Sequence, residues 1–376
     1  MKKIAFTGGG TGGHIYPNLA IIEDLHENFP DYKIFYYGNP EKLEAKLLES
    51  DDITDFKDNA FKNYVEFVNV KSEPLLKSIN PLKIFAWLKR FNDYKQEAKK
   101  SLQKKAIDLV FGTGGYAAGP VFAAAQELKI PYLIHNLDAH MGLANKAFVK
   151  GASALTLGVC DLGIKPKSQK VFVTGNPISK KFLNSLEKEK PNDGKLHLLV
   201  TGGSQGAQSI NKAIGELLDE FLKLNIEIVH VTGKENYQEH KAKYLKPHPG
   251  KHPFYKARDY THEMPELCAW ADIAICRSGA MTVAEMLASH TLSIFIPLPW
   301  AAHDHQTKNA LAISDLGAAI TLDQDQDDLK ETLLEIIKKA AEDKDYLGNY
   351  KGKINSLNLR DSNKEIIKVI TGCLKS

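Results

Sequence analysis

The segment FTGGGTGGHIYP, which runs from Phe6 to Pro17, places five glycines between an apolar run and a histidine followed by a helix. The apolar run Ile4-Ala5-Phe6 is typical of a buried parallel strand, and the sequence from Asn18 onward is typical of a helix. Glycine permits sharp turns and lets a ligand approach backbone N–H groups, while a helix N-terminus favours negative charge. The segment therefore predicts a strand–turn–helix unit whose turn receives a phosphate-bearing ligand.

The same glycines match G-x-G-x-x-G, beginning at Gly8, which is the fingerprint of dinucleotide-binding folds. In those folds an acidic residue ends the second strand and binds the ribose. Here the second predicted strand, Lys33 to Tyr37, is followed by Gly38-Asn39 and no acid. We interpret the later Glu41 and Glu44, which have helical spacing, as part of a solvent-exposed face. An NAD-linked oxidoreductase is therefore a disfavoured alternative.

The size and composition of the chain indicate a globular protein of two domains. It has 376 residues, of which 43% are hydrophobic and 25% charged, and a net charge of +3. That balance argues against a dedicated nucleic-acid binder, so we expect no nucleic-acid partner. The four cysteines show no C-x-x-C spacing, which favours a reduced cytoplasmic protein. We expect no signal peptide and no membrane span, because no apolar run approaches the roughly 20 residues that a span needs.

The opening turn has a counterpart half a chain away. TGGGTG at Thr7 to Gly12 and TGGSQG at Thr201 to Gly206 share the pattern T-G-G-x-x-G, and each lies between an apolar strand and a helix. The fold class predicted is α/β, with two Rossmann-like, doubly wound parallel-sheet domains that face each other across a cleft. Further strands are predicted at Leu109 to Phe111, Tyr132 to Ile134, Ala154 to Leu157, Ile226 to Val231, Ile273 to Cys276 and Leu292 to Ile296.

We expect an N-terminal domain over residues 1–178 and a C-terminal domain over residues 179–359. Residues 360–376 are expected to form a helix that packs back on the first domain. A polar stretch at residues 191–194 separates the two halves. Glycine-rich loops also follow the strands that end at Phe111 and Cys276, so four such loops predict one shared phosphate-bearing ligand.

Five motifs occur in the same order as in one known family: GGTGGH, GGYAAGP, GGSQGA, RSGAMTVAE and DHQTKNA. From Thr7 to about Ala319 the chain resembles the MurG family, the transferases that move N-acetylglucosamine (GlcNAc) from UDP-GlcNAc to lipid I, undecaprenyl-pyrophosphoryl-MurNAc-pentapeptide. The resemblance implies an inverting glycosyltransferase of GT-B architecture with no cofactor, acting in peptidoglycan synthesis. The alternative within the same fold is another UDP-sugar enzyme, either a glycolipid glycosyltransferase or an epimerase.

The resemblance also implies that the first domain binds the lipid-linked acceptor and associates with the membrane, while the second domain binds most of the donor. It further implies which residues bind the donor. The N-terminus of the helix that begins near Ala280 takes the diphosphate, Glu285 takes the ribose hydroxyls, and Gln306 lies near the sugar. The full set of donor-site residues is Thr11, Gly12, Gly13, Ser204, Ala280, Met281, Thr282, Val283, Ala284, Glu285 and Gln306. A second set is assigned less directly: Tyr116, His135, Asp138, Ser179, Thr261 and Asn309. Where the family more often has H-E-Q-N, this chain has His135-Asn136-Leu137-Asp138, and Ser179 stands where the family often has arginine.

His14 is the predicted catalytic base. An inverting transfer needs a group that takes the proton from the acceptor hydroxyl, and a helix N-terminus disfavours the cationic form of a histidine. The alternative for His14 is a helix-capping or packing role. His135 is the rival base, because it follows the strand Tyr132 to Ile134 and is expected to face the same cleft.

No obligatory metal site is predicted. Asp323 to Asp328 has acids at alternate positions, but Asp328 and Leu334 stand where a calcium-binding loop has glycine and glutamate. His303 and His305 have no accompanying cluster of ligands.

Residues 71–105 carry ten lysines and arginines against three acids, interleaved with bulky apolar residues in PLLKSINPLKIFAWLKRF. Such a mixture suits an anionic membrane surface, although a helix with a solvated basic face is the alternative. The segment PLKIFAW resembles the membrane-facing patch of the MurG family. We therefore expect a peripheral protein on the cytoplasmic face of the bacterial cell membrane, where other cell-wall synthesis proteins are possible partners.

Overall fold

The computed structural model describes residues 1–49, 61–76, 78–159, 170–203, 205–245, 254–357, 359 and 361–375. The chain divides into two compact units. The first unit comprises Met1–Lys180 together with Asp361–Ser376, and the second comprises Lys181–Arg360. The polar stretch at residues 191–194 lies inside the second unit, just before its first strand.

The described part of the first unit contains one sheet of seven parallel strands, in the order β3-β2-β1-β4-β5-β6-β7. The strands are β1 (Lys3–Gly8), β2 (Lys33–Gly38), β3 (Val65–Asn69), β4 (Leu109–Gly114), β5 (Tyr132–Asn136), β6 (Ala154–Leu157) and β7 (Lys170–Val173). The connecting helices are α1 (Gly12–Asn28), α2 (Leu43–Glu49), α3 (Pro81–Lys105), α4 (Ala118–Leu128) and α5 (Leu143–Phe148).

Over its described residues, the second unit repeats this arrangement with six parallel strands, in the order β10-β9-β8-β11-β12-β13. After α6 (Lys180–Ser185), the strands are β8 (Leu196–Thr201), β9 (Ile226–Val231), β10 (Tyr255–Arg258), β11 (Ile273–Cys276), β12 (Leu292–Phe295) and β13 (Ile320–Thr321). The helices are α7 (Gln208–Phe221), α8 (Lys234–His240), α9 (Met264–Trp270), α10 (Ala280–Ala288), α11 (His305–Ser314), α12 (Leu329–Glu342) and α13 (Lys344–Ser356).

The final helix, α14 (Ser362–Cys373), belongs to the first unit and packs against α1. Its apolar side chains Ile366, Val369 and Ile370, with Leu374 just beyond, join the buried cluster that α1 forms with one face of the sheet. Asn363 donates to the Asp24 carboxylate at 2.7 Å and to the Ile178 carbonyl at 2.9 Å, so polar contacts hold the start of the helix.

Both sheets are doubly wound, as the sequence predicts. In each, the strand order reverses between the first strand and the fourth: β1 pairs with β4, and β8 pairs with β11. The carboxyl ends of such a pair form the crevice in which open α/β sheets bind ligands. The four glycine-rich loops follow these four strands, so the fold gathers them in pairs.

One boundary differs from the prediction. Helix α1 begins at Gly12 and not near Asn18, so His14 lies in its first turn. The glycines and Pro17 have low helix propensity, so the sequence pattern does not predict a helix there. Tertiary contacts stabilise the helix despite this low propensity. Asn18 is fully buried, and its side-chain amide donates to the Thr7 carbonyl at 3.1 Å.

Candidate functional site

The first glycine loop connects β1 to α1 and is packed on both sides. A Cβ atom added at Gly9 would lie 2.6 Å from Glu44 Oε1. Gly10 has φ +93°, and a Cβ there would lie 2.4 Å from the Tyr116 ring. Below the loop, the Tyr36 hydroxyl donates to the Gly8 carbonyl at 2.6 Å. The loop is therefore a fixed structure whose glycines are required by its neighbours.

The environment of Glu44 differs from the one predicted from the sequence. It is 0% exposed, and therefore not part of a solvated helix face. Its Oε1 accepts from the Asn39 backbone N–H at 3.1 Å, and its Oε2 accepts from the Gly10 N–H at 3.5 Å. The carboxylate thus lies at the end of β2, where a dinucleotide-binding fold has its ribose-binding acid. Because it is enclosed by backbone, a ribose has no access to it.

His14 is half-buried, and its tautomer follows from its one described side-chain hydrogen bond. Nδ1 lies 3.1 Å from the Thr113 carbonyl oxygen. A carbonyl only accepts, so Nδ1 carries the proton and Nε2 keeps its lone pair. Burial lowers the pKa of His14, and this outweighs the opposing effects of Asp138 and of the Thr113 hydrogen bond. The imidazole is therefore neutral near pH 7, as a base must be.

His135 does not face a cleft, contrary to the expectation from its place after β5. It is 0% exposed, with Nδ1 2.9 Å from Thr156 Oγ1 and Nε2 3.0 Å from Asn176 Oδ1. Burial lowers the pKa of His135 to about 4. Both ring nitrogens are committed inside the unit, so His135 supports the sheet and is a poor candidate for a base.

The other candidates in the first unit divide into two groups. Thr11 and Gly13 are exposed, Gly12 is half-buried, and all three adjoin His14 at the start of α1. The charge of Asp138 acts on His14, so Asp138 belongs to the same neighbourhood. Ser179 instead follows the edge strand β7 and adjoins Ile178, whose backbone groups pair with Asn363.

In the second unit, most of the predicted donor residues lie at the N-terminus of α10. Gly279 is its N-cap, and a Cβ added there would meet no atom within 4 Å, so the space before the helix is open. Ala280, Met281, Thr282 and Glu285 are half-buried. Val283 and Ala284 are buried in the core, which limits any contact they make with a ligand to the backbone.

Gln306 and Asn309 lie against the same loop. The Ser278 hydroxyl donates to the Gln306 carbonyl at 2.8 Å, and the Asn309 amide donates to the Ser278 carbonyl at 3.1 Å. Gln306 Oε1 accepts from the Leu298 N–H at 3.1 Å, so its side-chain NH₂ remains as a donor. The side chain of Asn309 is fully buried and supports the loop from within.

Arg277 is a residue that the sequence analysis did not single out. Its guanidinium donates to the carbonyls of Ile296 and Pro297 at 2.9 and 2.8 Å, and to Ser209 Oγ and Gln324 Oε1 at 3.1 and 3.0 Å. It thereby ties the loop after β11 to the end of β12 and to α7. The only sequence signal was its position directly before Ser278-Gly279.

Two predicted donor residues are not joined to this group by a described contact. Thr261 follows the edge strand β10 and accepts from the Glu263 N–H at 3.0 Å. Ser204 lies outside the described residues, although its neighbour Gly203 donates to Thr201 Oγ1 at 3.2 Å.

One group in the described residues has metal-ligand spacing. Asp193, His197 and Glu227 have ligand atoms within 4.8 Å of one another. The ammonium group of Lys195 lies 3.4 Å from Asp193 and 3.9 Å from Glu227, so a protein cation already compensates these carboxylates. This group lies at the start of β8 and β9, at the sheet edge away from the glycine loops.

Comparison with known proteins identifies the family. The N-terminal domain of glycosyltransferase family 28 matches residues 4–156, and its C-terminal domain matches residues 197–367. A UDP-N-acetylglucosamine–N-acetylmuramyl-(pentapeptide) pyrophosphoryl-undecaprenol N-acetylglucosamine transferase from Francisella philomiragia is 37% identical, covering 98% of this chain and 97% of its own. The corresponding protein of Carboxydothermus hydrogenoformans is 36% identical, covering 99% and 98%. The chain belongs to the MurG family of glycosyltransferases.

Solved structures agree with this assignment. The crystal structure of Acinetobacter baumannii MurG superposes with a TM-score of 0.74 at 26% identity, covering 99% of this chain and all of that one. The UDP-GlcNAc 2-epimerase of Neisseria meningitidis, solved with UDP-GlcNAc, gives a TM-score of 0.67 at 15% identity, covering 99% and 100%. That second likeness shows the fold alone. The GT-B fold class is confirmed.

Proposed function

We propose that this chain transfers GlcNAc from UDP-GlcNAc to the 4-hydroxyl of MurNAc in undecaprenyl-pyrophosphoryl-MurNAc-pentapeptide, which converts lipid I into lipid II in peptidoglycan synthesis. Its relatives over nearly the full chain carry this activity in their names. The observation that supports it best in the structure is a neutral His14 at the switch point of one sheet, while the other sheet has an open helix N-terminus at its own switch point.

In this reaction the acceptor oxygen forms a bond to the anomeric carbon while the bond to the β-phosphate oxygen breaks, and the electron pair leaves with UDP. His14 Nε2 takes the proton of the acceptor hydroxyl as it attacks. The first N–H groups of α10 stabilise the negative charge of the leaving diphosphate. Glu285 accepts hydrogen bonds from the ribose hydroxyls, and the NH₂ group of Gln306 donates to the sugar.

We assign membrane contact to the first turns of α3 and to the segment just before it. We define the apolar patch as Leu75, Ile79, Leu82, Ile84, Phe85 and Leu88, all exposed, with Ile79 at 98% and Phe85 at 69%. Lys71, Lys83 and Lys89 are exposed in the same segment. Apolar side chains interleaved with lysines suit the interface of an anionic bilayer. None of the helices in the described part of the chain combines the length and apolar character needed to cross a membrane.

Trp87 has a different role from that expected from the sequence. It is half-buried, stacks on Phe91 at 5.4 Å between ring centroids, and donates from Nε1 to the Pro74 carbonyl at 3.1 Å. It therefore anchors the segment before α3 rather than facing outward. Association with the cytoplasmic leaflet and with other cell-wall synthesis proteins remains a prediction.

The direct test is transfer of radiolabelled GlcNAc from UDP-GlcNAc to lipid I, with formation of lipid II as the readout. Binding of UDP but not of NAD, measured by calorimetry, separates the transferase from an oxidoreductase. Conversion of UDP-GlcNAc without an acceptor would instead indicate an epimerase and contradict the proposal.

A further inference from the structure

The mechanism leaves the fully buried side chain of Glu44 without a role. Glu44 is 0% exposed, although a carboxylate is costly to bury unless it is well paired. Its two described hydrogen-bond partners are the backbone N–H groups of Asn39 and Gly10, which belong to the loops after β2 and β1. A buried carboxylate on α2 therefore bridges two loops of the switch-point edge.

The carboxylate occupies space that two glycines leave for it. A Cβ added at Gly9 would lie 2.6 Å from Oε1 and 2.9 Å from Oε2, and a Cβ at Gly38 would lie 2.7 Å from Glu44 Cγ. Gly9 does not have a left-handed φ, so its backbone conformation would accept alanine. A side chain at position 9 would therefore displace the Glu44 carboxylate from its place beside the loop.

The first glycine loop is held from its other side by the loop after β4. A Cβ added at Gly115 would lie 2.3 Å from the Gly9 carbonyl oxygen and 3.2 Å from His14 Cδ2. Gly9 and Gly10 therefore lie between the Glu44 carboxylate on one side and Gly115 with Tyr116 on the other. Helix α1, which carries His14, begins at Gly12.

We propose that Glu44 is a positioning residue: its carboxylate fixes the backbone of Gly9 and Gly10 and thereby sets the position of His14. This inference rests on the proposed role of His14 as the base. A misplacement of about 1 Å in a reacting group can lower the rate by about 10²-fold. Contacts on two sides of the first glycine loop therefore help to keep His14 in its active position.

A stability cycle tests the contact without reference to activity. Gly9→Ala should lower the melting temperature of the wild-type protein, because the added methyl group meets the carboxylate. In a Glu44→Ala background that space is empty, so Gly9→Ala should have at most half of its original effect. Should Glu44→Ala prove too unstable to purify, Glu44→Ser replaces it. Equal effects of Gly9→Ala in both backgrounds would overturn the proposed contact.

Turnover tests the positioning role. Glu44→Gln keeps the shape but presents an NH₂ group to one of the two backbone N–H donors, so kcat should fall at least tenfold. The KM for UDP-GlcNAc should change less than twofold, because most of the proposed donor contacts lie in the second unit. The acidic limb of the pH–rate profile should also move, because the surroundings of His14 change. The matched control is Glu41→Gln, an exposed glutamate three residues earlier, which should behave as wild type.

A kcat for Glu44→Gln within twofold of the Glu41→Gln control would refute the positioning role. A parallel loss of kcat and folded fraction, with an unmoved pH profile, would assign Glu44 to stability alone. Failure of the wild type to transfer GlcNAc would instead contradict the proposed function, while the stability cycle would still report on the contact.

Discussion

At the scale of single residues, the protonation of His14 is decided by a group far away in sequence. The Thr113 carbonyl, 99 residues on, holds the proton on Nδ1, and burial lowers the pKa of the ring. The partial positive charge at the helix N-terminus also disfavours the imidazolium, so it acts in the same direction as burial. No local pattern around His14 could have revealed the tautomer, because it depends on the pairing of β1 with β4.

His14→Ala should lower turnover by roughly 10²–10⁴ while UDP-GlcNAc affinity stays nearly unchanged, since proton transfer contributes only in the transition state. A lowered pKa means that the wild-type rate falls only as the pH drops below the usual histidine value near 6.5, where the imidazole becomes protonated. That acidic limb should be absent from the residual activity of the variant. His135→Ala serves as the comparison, because it should reduce stability. If the acidic limb were lost in His135→Ala but kept in His14→Ala, His135 would be the base instead of His14.

Glu285→Ala should weaken UDP binding by about 1–3 kcal/mol, because the ribose hydroxyls lose a charged acceptor. The fold should survive, since the residue is half-buried at the open end of the second sheet. Calorimetric titration with UDP measures the loss. Glu331→Ala, an exposed glutamate on α12 of the same unit, is the control. An unchanged dissociation constant for Glu285→Ala would remove this residue from the site.

At the scale of elements, the sequence identified every interior strand and missed the strands at the sheet edges. Interior strands are buried along nearly their full length, so they form continuous apolar runs. The edge strands β3, β7, β10 and β13 are only partly buried and contain residues such as Glu66, Lys170 and Arg258. Their pairing is set by the neighbouring strand rather than by their own composition.

The apolar patch at the start of α3 should bind vesicles that contain anionic lipid, with affinity that falls as salt rises. Replacing Leu82 and Phe85 by serine should reduce vesicle binding and spare UDP affinity, because both side chains are exposed. The control is serine at Leu311 and Leu316, which are exposed in the second unit. Vesicle co-sedimentation measures the binding of the patch variant and of the control variant. A wild-type protein that ignores anionic vesicles at low salt would identify the segment as an ordinary solvated helix face.

At the scale of the whole molecule, the repeat T-G-G-x-x-G predicted two sheets of one kind, and their strand orders are equivalent. The repeat was sufficient to predict two sheets of one kind, because a doubly wound sheet has a characteristic turn after its first strand. The role of Glu44 was not predictable in this way. Its helical spacing is typical of an exposed face, and only the packing of α2 against the glycine loop encloses it.

Removal of α14 should destabilise the first unit selectively. Ile366, Val369, Ile370 and Leu374 are buried in its core, and each such side chain contributes about 1.5–3 kcal/mol. A variant that ends at Arg360 should therefore lose GlcNAc transfer while the second unit still binds UDP. Ile370→Asp should act in the same direction, whereas Lys368→Ala, on the exposed face of α14, should not. Loss of UDP binding in the shortened variant would contradict this division.

The return of α14 to the first unit also has a consequence for biosynthesis. On the ribosome, residues 1–180 emerge first, but their core lacks a helix that is still untranslated. At about 5–20 residues per second, the 180 residues of the second unit, from Lys181 to Arg360, take roughly 10–40 s to be made. During that interval the nascent first unit exposes the apolar surface that α14 later covers. The first unit therefore departs from the usual N-terminal-first order, because its core is complete only when the last helix of the chain has been released.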